Sequence, residues 1–237
     1  MTAYEARKRL VDKALTFVGT TEGSIVHKWL VDEYNKIDPL PRGYKVKYTD
    51  PWCATFVSVC AKTENMLDII PAECGCPEMV RKFQAMGRWQ ERDDYRPALG
   101  DIAFYDWGNN TGDNTGTPAH VGIVTAVYSE SFVITEGNRS DAVRNITVAI
   151  NDRNLRGFGL PDFARWLIDH GYTGGGDFPV ENNDPSKWAR AAWQWAKENR
   201  ITDGTRPHDS CTREELVTML YRYNQLKEAS DNGTVRK

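Results

Sequence analysis

The feature that most constrains the fold is a change of period part-way along the chain. Residues 3–18 carry Ala6, Leu10, Val11, Ala14, Leu15 and Val18 at helical spacing. Residues 24–36 read as a second helix, 53–63 as a nearly all-apolar buried one, and 77–86 as a short fourth. From Gly100 onward the apolar residues fall instead into short runs of strand length: 100–105, 120–127, 132–136, 145–150 and 157–163. Helices first and an antiparallel strand run second predict an α+β fold. Between the first two strands lies a polar, turn-rich loop, residues 108–118, read equally as a groove wall or a solvated insertion.

The composition shifts again after Trp166. Residues 169–184 are rich in Gly and Asn and predict a flexible linker. That divides the chain into a main domain at 1–168 and a small helical module at 185–237. The module carries a helix at about 186–200 and another from Thr212, where Thr212-Arg213-Glu214-Glu215 forms a capping box. A two-helix module of this size needs docking or self-association to bury a core.

Charge and cysteine usage exclude several classes. The formal net charge is −3, and the Lys and Arg residues form no basic stripe, which argues against nucleic acid. No apolar run is long enough to span a membrane. The N-terminus has mixed charge and no apolar core segment, so synthesis in the cytoplasm without a signal peptide is expected. The five cysteines, Cys53, Cys60, Cys74, Cys76 and Cys211, are odd in number and irregular in spacing, which predicts reduced thiols. Cys74-x-Cys76 lacks a second Cys or His pair at ligand spacing. The two are read as buried or partly exposed thiols, with metal binding the alternative. Cys60, two helical turns after Cys53, reads as a core residue.

Two settings carry chemistry. In Pro51-Trp52-Cys53-Ala54-Thr55-Phe56-Val57 the proline marks a break, and Cys53 opens a helix whose N–H groups and dipole favour a thiolate. In Ala119-His120-Val121-Gly122-Ile123-Val124 the histidine opens a strand, and Glu136 closes the next one. A thiol, an imidazole and a carboxylate in this order predict a nucleophile, a base and an orienting group for a thiol-dependent amide hydrolase. The hairpin imposes a condition. An odd turn puts His120 opposite Asn138 with Glu136 on its face, whereas an even turn puts Glu136 on the other face. The triad therefore predicts an odd loop or a bulge. Singly, a cysteine at a helix start and a histidine before a strand are more often structural.

These pieces, together with Gly100-Asp101-Ile102-Ala103-Phe104-Tyr105 and Thr135-Glu136-Gly137-Asn138, resemble the CHAP family of cysteine- and histidine-dependent amidohydrolases and peptidases over about residues 1–168. The resemblance implies a papain-like fold, with Cys53 as nucleophile, His120 as base and then acid, Glu136 as orienter and Asn138 as a fourth polar member. It also implies peptidoglycan as substrate, cut between muramic acid and L-alanine or within the peptides. Tyr48, Trp52 and Trp107 are the substrate-binding candidates. The backbone N–H of Cys53 is one oxyanion donor, and Tyr48 is a candidate for the second. The stretch before the cysteine, residues 43–50, has one acid and two lysines, unlike an Asp-rich calcium loop. Asn109, Asn110 and Asp113 in the polar loop add little to a cation site. No cofactor or metal is expected.

The C-terminal segment resembles a single S-layer-homology repeat at Trp188-Ala189, Ala192, Trp195-Ala196, Ile201 to Gly204, Cys211 to Glu215 and Met219-Leu220. That implies wall-polymer binding, with Arg213 and Trp188 as candidates, against the alternatives of core tryptophans and a solvated arginine. The combined expectation is a phage-type endolysin that reaches the wall through a membrane hole. Two rivals stand beside it: a cysteine amidase or acyl transferase on a soluble cytoplasmic substrate, and a wall-binding protein without turnover.

Overall fold

The structure, a computed structural model, describes residues 1–92, 94–107, 116–172, 189–199, 201–202 and 216–224. The chain divides into two compact units, Met1–Gly176 and Asp177–Lys237. The first begins with helices α1 (Ala3–Leu15), α2 (Ile25–Tyr34), α3 (Cys53–Thr63) and α4 (Cys76–Ala85). Strands β1 (Trp89–Gln90), β2 (Ile102–Tyr105), β3 (His120–Val127), β4 (Ser131–Glu136), β5 (Arg144–Ala149) and β6 (Leu155–Gly159) follow, then helix α5 (Phe163–Asp169). This is the α+β arrangement that the change of period implies.

Local chemistry sets the helix limits. Thr2 and Glu5 form a reciprocal capping box at the start of α1, whose Ala6, Leu10, Val11 and Ala14 are buried. The helix stops at Leu15, short of the expected residue 18, and a left-handed Gly19 (φ 89°) follows. Ser24 caps α2 by accepting from the His27 N–H. Helix α3 is buried from Cys53 through Ala61, which explains why its sequence shows little amphipathic alternation.

The strands form one antiparallel sheet in the order β1-β6-β2-β3-β4-β5. Alternation divides its apolar residues between two layers. Ile102, Phe104, Val121 and Ile123 join the core of α1, α2 and α3, while Ala103, Tyr105, Val124 and Ile134 pack with Phe132, Val148 and Phe158. The last strand runs 155–159 rather than 157–163, because Asp162 caps a helix that begins at Phe163. Its pairing with both β1 and β2 closes the edge that a simple meander would leave open.

The β3–β4 hairpin meets the register condition through a bulge. Tyr128 N–H donates to Ser131 O at 2.8 Å, closing a turn round Ser129 and Glu130. Near the turn Val127 pairs with Phe132 and Ala126 with Val133. The register then shifts, and Val124 pairs with Ile134, Ile123 with Thr135 and Gly122 with Glu136. Thr125 is the extra residue. Its hydroxyl lies 2.9 Å from that of Thr135, which in turn donates to Asn145 Oδ1 at 2.8 Å. Unbulged pairing from the same turn would set Glu136 opposite Ile123, on the wrong face for His120.

In the second unit, α6 (Arg190–Glu198) lies within the helix expected at 186–200, and residues 216–224 are also helical. Trp195 meets Tyr223 edge-on at 6.3 Å, and Arg222 donates to the Ile201 carbonyl at 3.1 Å. The capping box at Thr212, Arg213 and Trp188, together with 173–184 of the expected linker, lie outside the described residues. The linker's expected first residue, Asp169, is the last of α5, and Tyr172 stacks on Trp166 at 5.4 Å.

Candidate active site

Cys53 is the first residue of α3, and its helix has no side-chain cap. The first-turn N–H groups are thus free to face an anion. Trp52, which precedes it, is fully buried. Its indole N–H donates to Glu22 at 3.1 Å, and its ring packs on His27 at 4.7 Å. His27 Nδ1 accepts from the Gly23 N–H at 3.0 Å, and burial lowers the His27 pKa, so this imidazole is a neutral packing group. Glu22 N–H donates to Asp141 O at 2.7 Å, which ties this strut to the segment after Glu136. The expectation that Trp52 binds substrate is corrected: with no exposed surface it has none to offer, and it braces the start of α3.

His120 and Glu136 stand at the start of β3 and the end of β4, with Nε2 and Oε2 3.1 Å apart. Gly122, between His120 and Val124, makes that contact sterically possible. A Cβ there would lie 2.8 Å from Glu136 Cγ and 2.5 Å from Ile134 Cγ2. Gly137 has a parallel role towards α3, since a Cβ there would meet Phe56 Cβ at 2.5 Å. Arg139 Nη1 lies 3.6 Å from the same Glu136 oxygen, and its guanidinium sits over the Trp107 ring at 4.8 Å. Trp107 stacks on His120 with centroids 4.8 Å apart and on Tyr105 at 5.6 Å, and remains 44% exposed. Tyr105, the strand partner of His120, has a buried hydroxyl, as Glu136 has a buried Oε1, and neither has a partner of good geometry among the described residues. Burial and then the nearby Glu136 raise the Tyr105 pKa, so it stays a phenol beside the carboxylate.

The charges are arranged as the chemistry requires. With Nε2 committed to Glu136, Nδ1 is the nitrogen left to face Cys53. Burial alone would lower the His120 pKa, but Cys53 and Glu136 outweigh it and raise the value to about 9. The Cys53 pKa is held well below that of a free thiol, first by a hydrogen bond from Cys76 and then, against the opposing effect of burial, by His120 and the Ala54 N–H. Cys76 is the first residue of α4, and its sulfur is 3.6 Å from that of Cys53. Its own pKa is raised by that neighbour and by burial, so it keeps its proton and donates it. Burial pushes Cys60 up as well, in keeping with a core residue.

Cys53 lines a cleft of about 390 Å³. Arg42, Tyr44, Asp50, Cys74, Cys76 and Pro118 are among its other lining residues. Tyr44 O–H donates to Asp50 at 2.8 Å, and Arg42 donates to Glu73 at 3.1 Å. Tyr48 is not part of this lining. Its hydroxyl donates to Asp32 at 2.8 Å, and the residue is 42% exposed. Asn138 follows Gly137 with a left-handed φ of 58°, and no hydrogen bond links its side chain to His120 or Glu136 among the described residues. Asn109, Asn110 and Asp113 lie outside the described residues, as does most of the 108–118 loop. Sequence reasoning missed Arg42, Tyr105 and Arg139 and read Cys76 as a plain thiol or a metal ligand, not as a partner of Cys53. Tyr105 was within reach, since aligning the 100–105 strand beside 120–127 places it opposite His120. No local signal marks Arg42 or Cys76.

The CHAP domain family model matches residues 43–138, a span that contains Cys53, His120 and Glu136. The match indicates a cysteine, histidine-dependent amidohydrolase or peptidase of a kind that typically acts on peptidoglycan. No curated protein and no solved structure matches the chain.

Proposed function

We propose that the protein is a peptidoglycan hydrolase that cleaves a wall amide by thiol catalysis, with Cys53 as nucleophile, His120 as acid and base, and Glu136 as orienter. The observation that carries this reading is the meeting of a thiol at a helix start, lining a cleft, with an imidazole already held by a carboxylate. The Cys53 thiolate attacks the scissile carbonyl, and the carbonyl oxygen becomes an oxyanion facing the Cys53 N–H. His120 Nδ1–H protonates the leaving amine as the C–N bond breaks, leaving an acyl-thioester. The neutral imidazole then takes a proton from water, whose oxygen attacks the thioester and releases the acid and the thiolate. Glu136 holds the ring throughout and favours its cationic form.

The finer reading is an endolysin with a main domain at 1–168 and a wall-binding or self-associating segment at 185–237. Trp107 is its substrate-facing aromatic, and Arg213 and Trp188 are its wall-binding candidates. Mass spectrometry of fragments from purified Gram-positive peptidoglycan, wild type against Cys53→Ala, tests the reaction. Fragments with free N-terminal alanine, absent in the mutant, identify an N-acetylmuramoyl-L-alanine amidase. New termini within stem or bridge identify an endopeptidase. Equal release by Cys53→Ala overturns the mechanism, and turnover of soluble amides with none on walls overturns the substrate. Co-expression with a membrane-hole-forming protein tests the endolysin reading, which requires lysis with that partner and none without it.

A further inference from the structure

We infer that Cys53 and Cys76 form an oxidant-responsive modification site, in which Cys76 captures an oxidised Cys53 as a disulfide. The inference goes beyond hydrolysis and holds whatever amide the cleft accepts. It starts from the 3.6 Å separation of the two sulfurs, both buried and both at helix starts. A disulfide bond of about 2.0 Å requires the two sulfurs to close by roughly 1.6 Å from this separation.

The approach is built into the fold. Ser58, on α3, donates to Glu73 O at 2.7 Å and accepts from Glu73 N–H at 2.9 Å, which clamps the segment before α4 onto the helix that carries Cys53. The Glu73 carboxylate is buried between Arg42, at 3.1 Å, and Lys82, at 3.0 Å. The other thiol of this segment is held apart, as Arg42 Nη2 donates to Cys74 Sγ at 3.2 Å. Cys60 lies two turns down α3 in the core. Among the described residues Cys76 is therefore the thiol placed to reach Cys53.

The chemistry balances with hydrogen peroxide as oxidant. The Cys53 thiolate attacks one peroxide oxygen, the O–O bond breaks, and a sulfenic acid and hydroxide result. The Cys76 sulfur then attacks the Cys53 sulfur and loses its proton. The S–O bond breaks, and the sulfenic oxygen departs as water. Two electrons have passed from the thiol pair to peroxide. The disulfide blocks the nucleophile and stops oxidation before the irreversible sulfinic acid, and an external thiol such as dithiothreitol restores both cysteines by exchange.

The test exposes the full chain to peroxide, alkylates the remaining thiols and maps tryptic peptides without reduction. The expected product joins peptides 48–62 and 63–81, two hydrogens lighter than the sum of the two with Cys60 and Cys74 alkylated, with fragment ions placing the bond at Cys53 and Cys76. Cys74→Ser keeps the cross-link. Cys76→Ser forms sulfinic acid on Cys53 at the same peroxide dose, and dithiothreitol no longer reverses it. Where activity is measured, it falls by about tenfold or more on oxidation and returns with dithiothreitol only when Cys76 is present. A wild-type product that is sulfinic at Cys53, or cross-linked to Cys74, overturns the inference. Should Cys76→Ser fail to fold, the wild-type and Cys74→Ser maps decide alone. The cross-link is read by mass, so it stands or falls separately from hydrolysis.

Discussion

Cys53 and Cys76 begin alike and end opposite. Each is a buried cysteine at the first position of a helix, where the backbone N–H groups favour an anion. Yet the Cys53 pKa is lowered and the Cys76 pKa raised. What separates them is the other neighbour. Cys53 accepts a hydrogen bond from Cys76 and faces an imidazole kept cationic by the thiolate and Glu136, whereas Cys76 donates that bond, faces the thiolate and has Glu78 nearby. With a helix start common to both, the hydrogen bond they share and the imidazole beside Cys53 decide which of the two adjacent thiols ionises.

The largest break in this asymmetry should come from His120→Ala. It removes the cation and the general acid together, so hydrolysis should fall by about 10³–10⁴-fold. Alkylation of Cys53 near neutral pH, read by peptide mapping, should slow towards the rate of Cys76. Unchanged Cys53 labelling in that variant would show that the imidazole does not set the difference. Glu136→Gln should cost about 10²-fold in turnover and leave Cys53 partly activated, because the amide still holds the ring but carries no charge.

Gly122→Ala should act at the same contact from the side, forcing Glu136 or Ile134 to move. A loss of about 1–3 kcal/mol in stability by denaturant titration, with a fall in turnover, is expected. The pH–rate profile should then sharpen the comparison. Wild-type activity should decline as pH rises through about 9, where His120 loses its proton, and the Glu136→Gln variant should decline at lower pH. The same raised pKa contributes stability that is complete below about 6.5 and lost as pH rises through about 9, which thermal melts across that range would record. The smallest effect should come from Cys76→Ala under reducing conditions. Cys53 loses one hydrogen-bond donor, and its alkylation should slow by about tenfold or less.

The sequence carried more of the His120 side of the site than of the Cys76 side. The helix beginning at Cys53, the strand beginning at His120 and the strand ending at Glu136 are marked locally, by Pro51 and by runs of apolar residues. The register between His120 and Glu136 was legible as a condition, because strand periodicity allows only two outcomes. The burial of Trp52 was not, since Glu22 and His27 reach it from α2 and the turn before it. Nor was the partnership of Tyr48 with Asp32, or the pairing of β6 with β2, as each depends on a chain path that no local pattern states. Cys76 reaches Cys53 through the Ser58–Glu73 clamp, a backbone contact to a buried loop with no signature in composition.

The bulge at Thr125 bears on which changes of length this hairpin can survive. One unpaired residue in β3 and a turn closed round Ser129 and Glu130 together bring Gly122 opposite Glu136. Two residues added to β4 beyond the turn keep the carboxylate on the face of the ring but move its partner two positions along β3, whereas a single insertion turns it away unless the bulge is lost with it. Thr125 is therefore an exchangeable unit of length. Loss of the bulge together with one residue gained at the tip leaves the catalytic face of the hairpin unchanged.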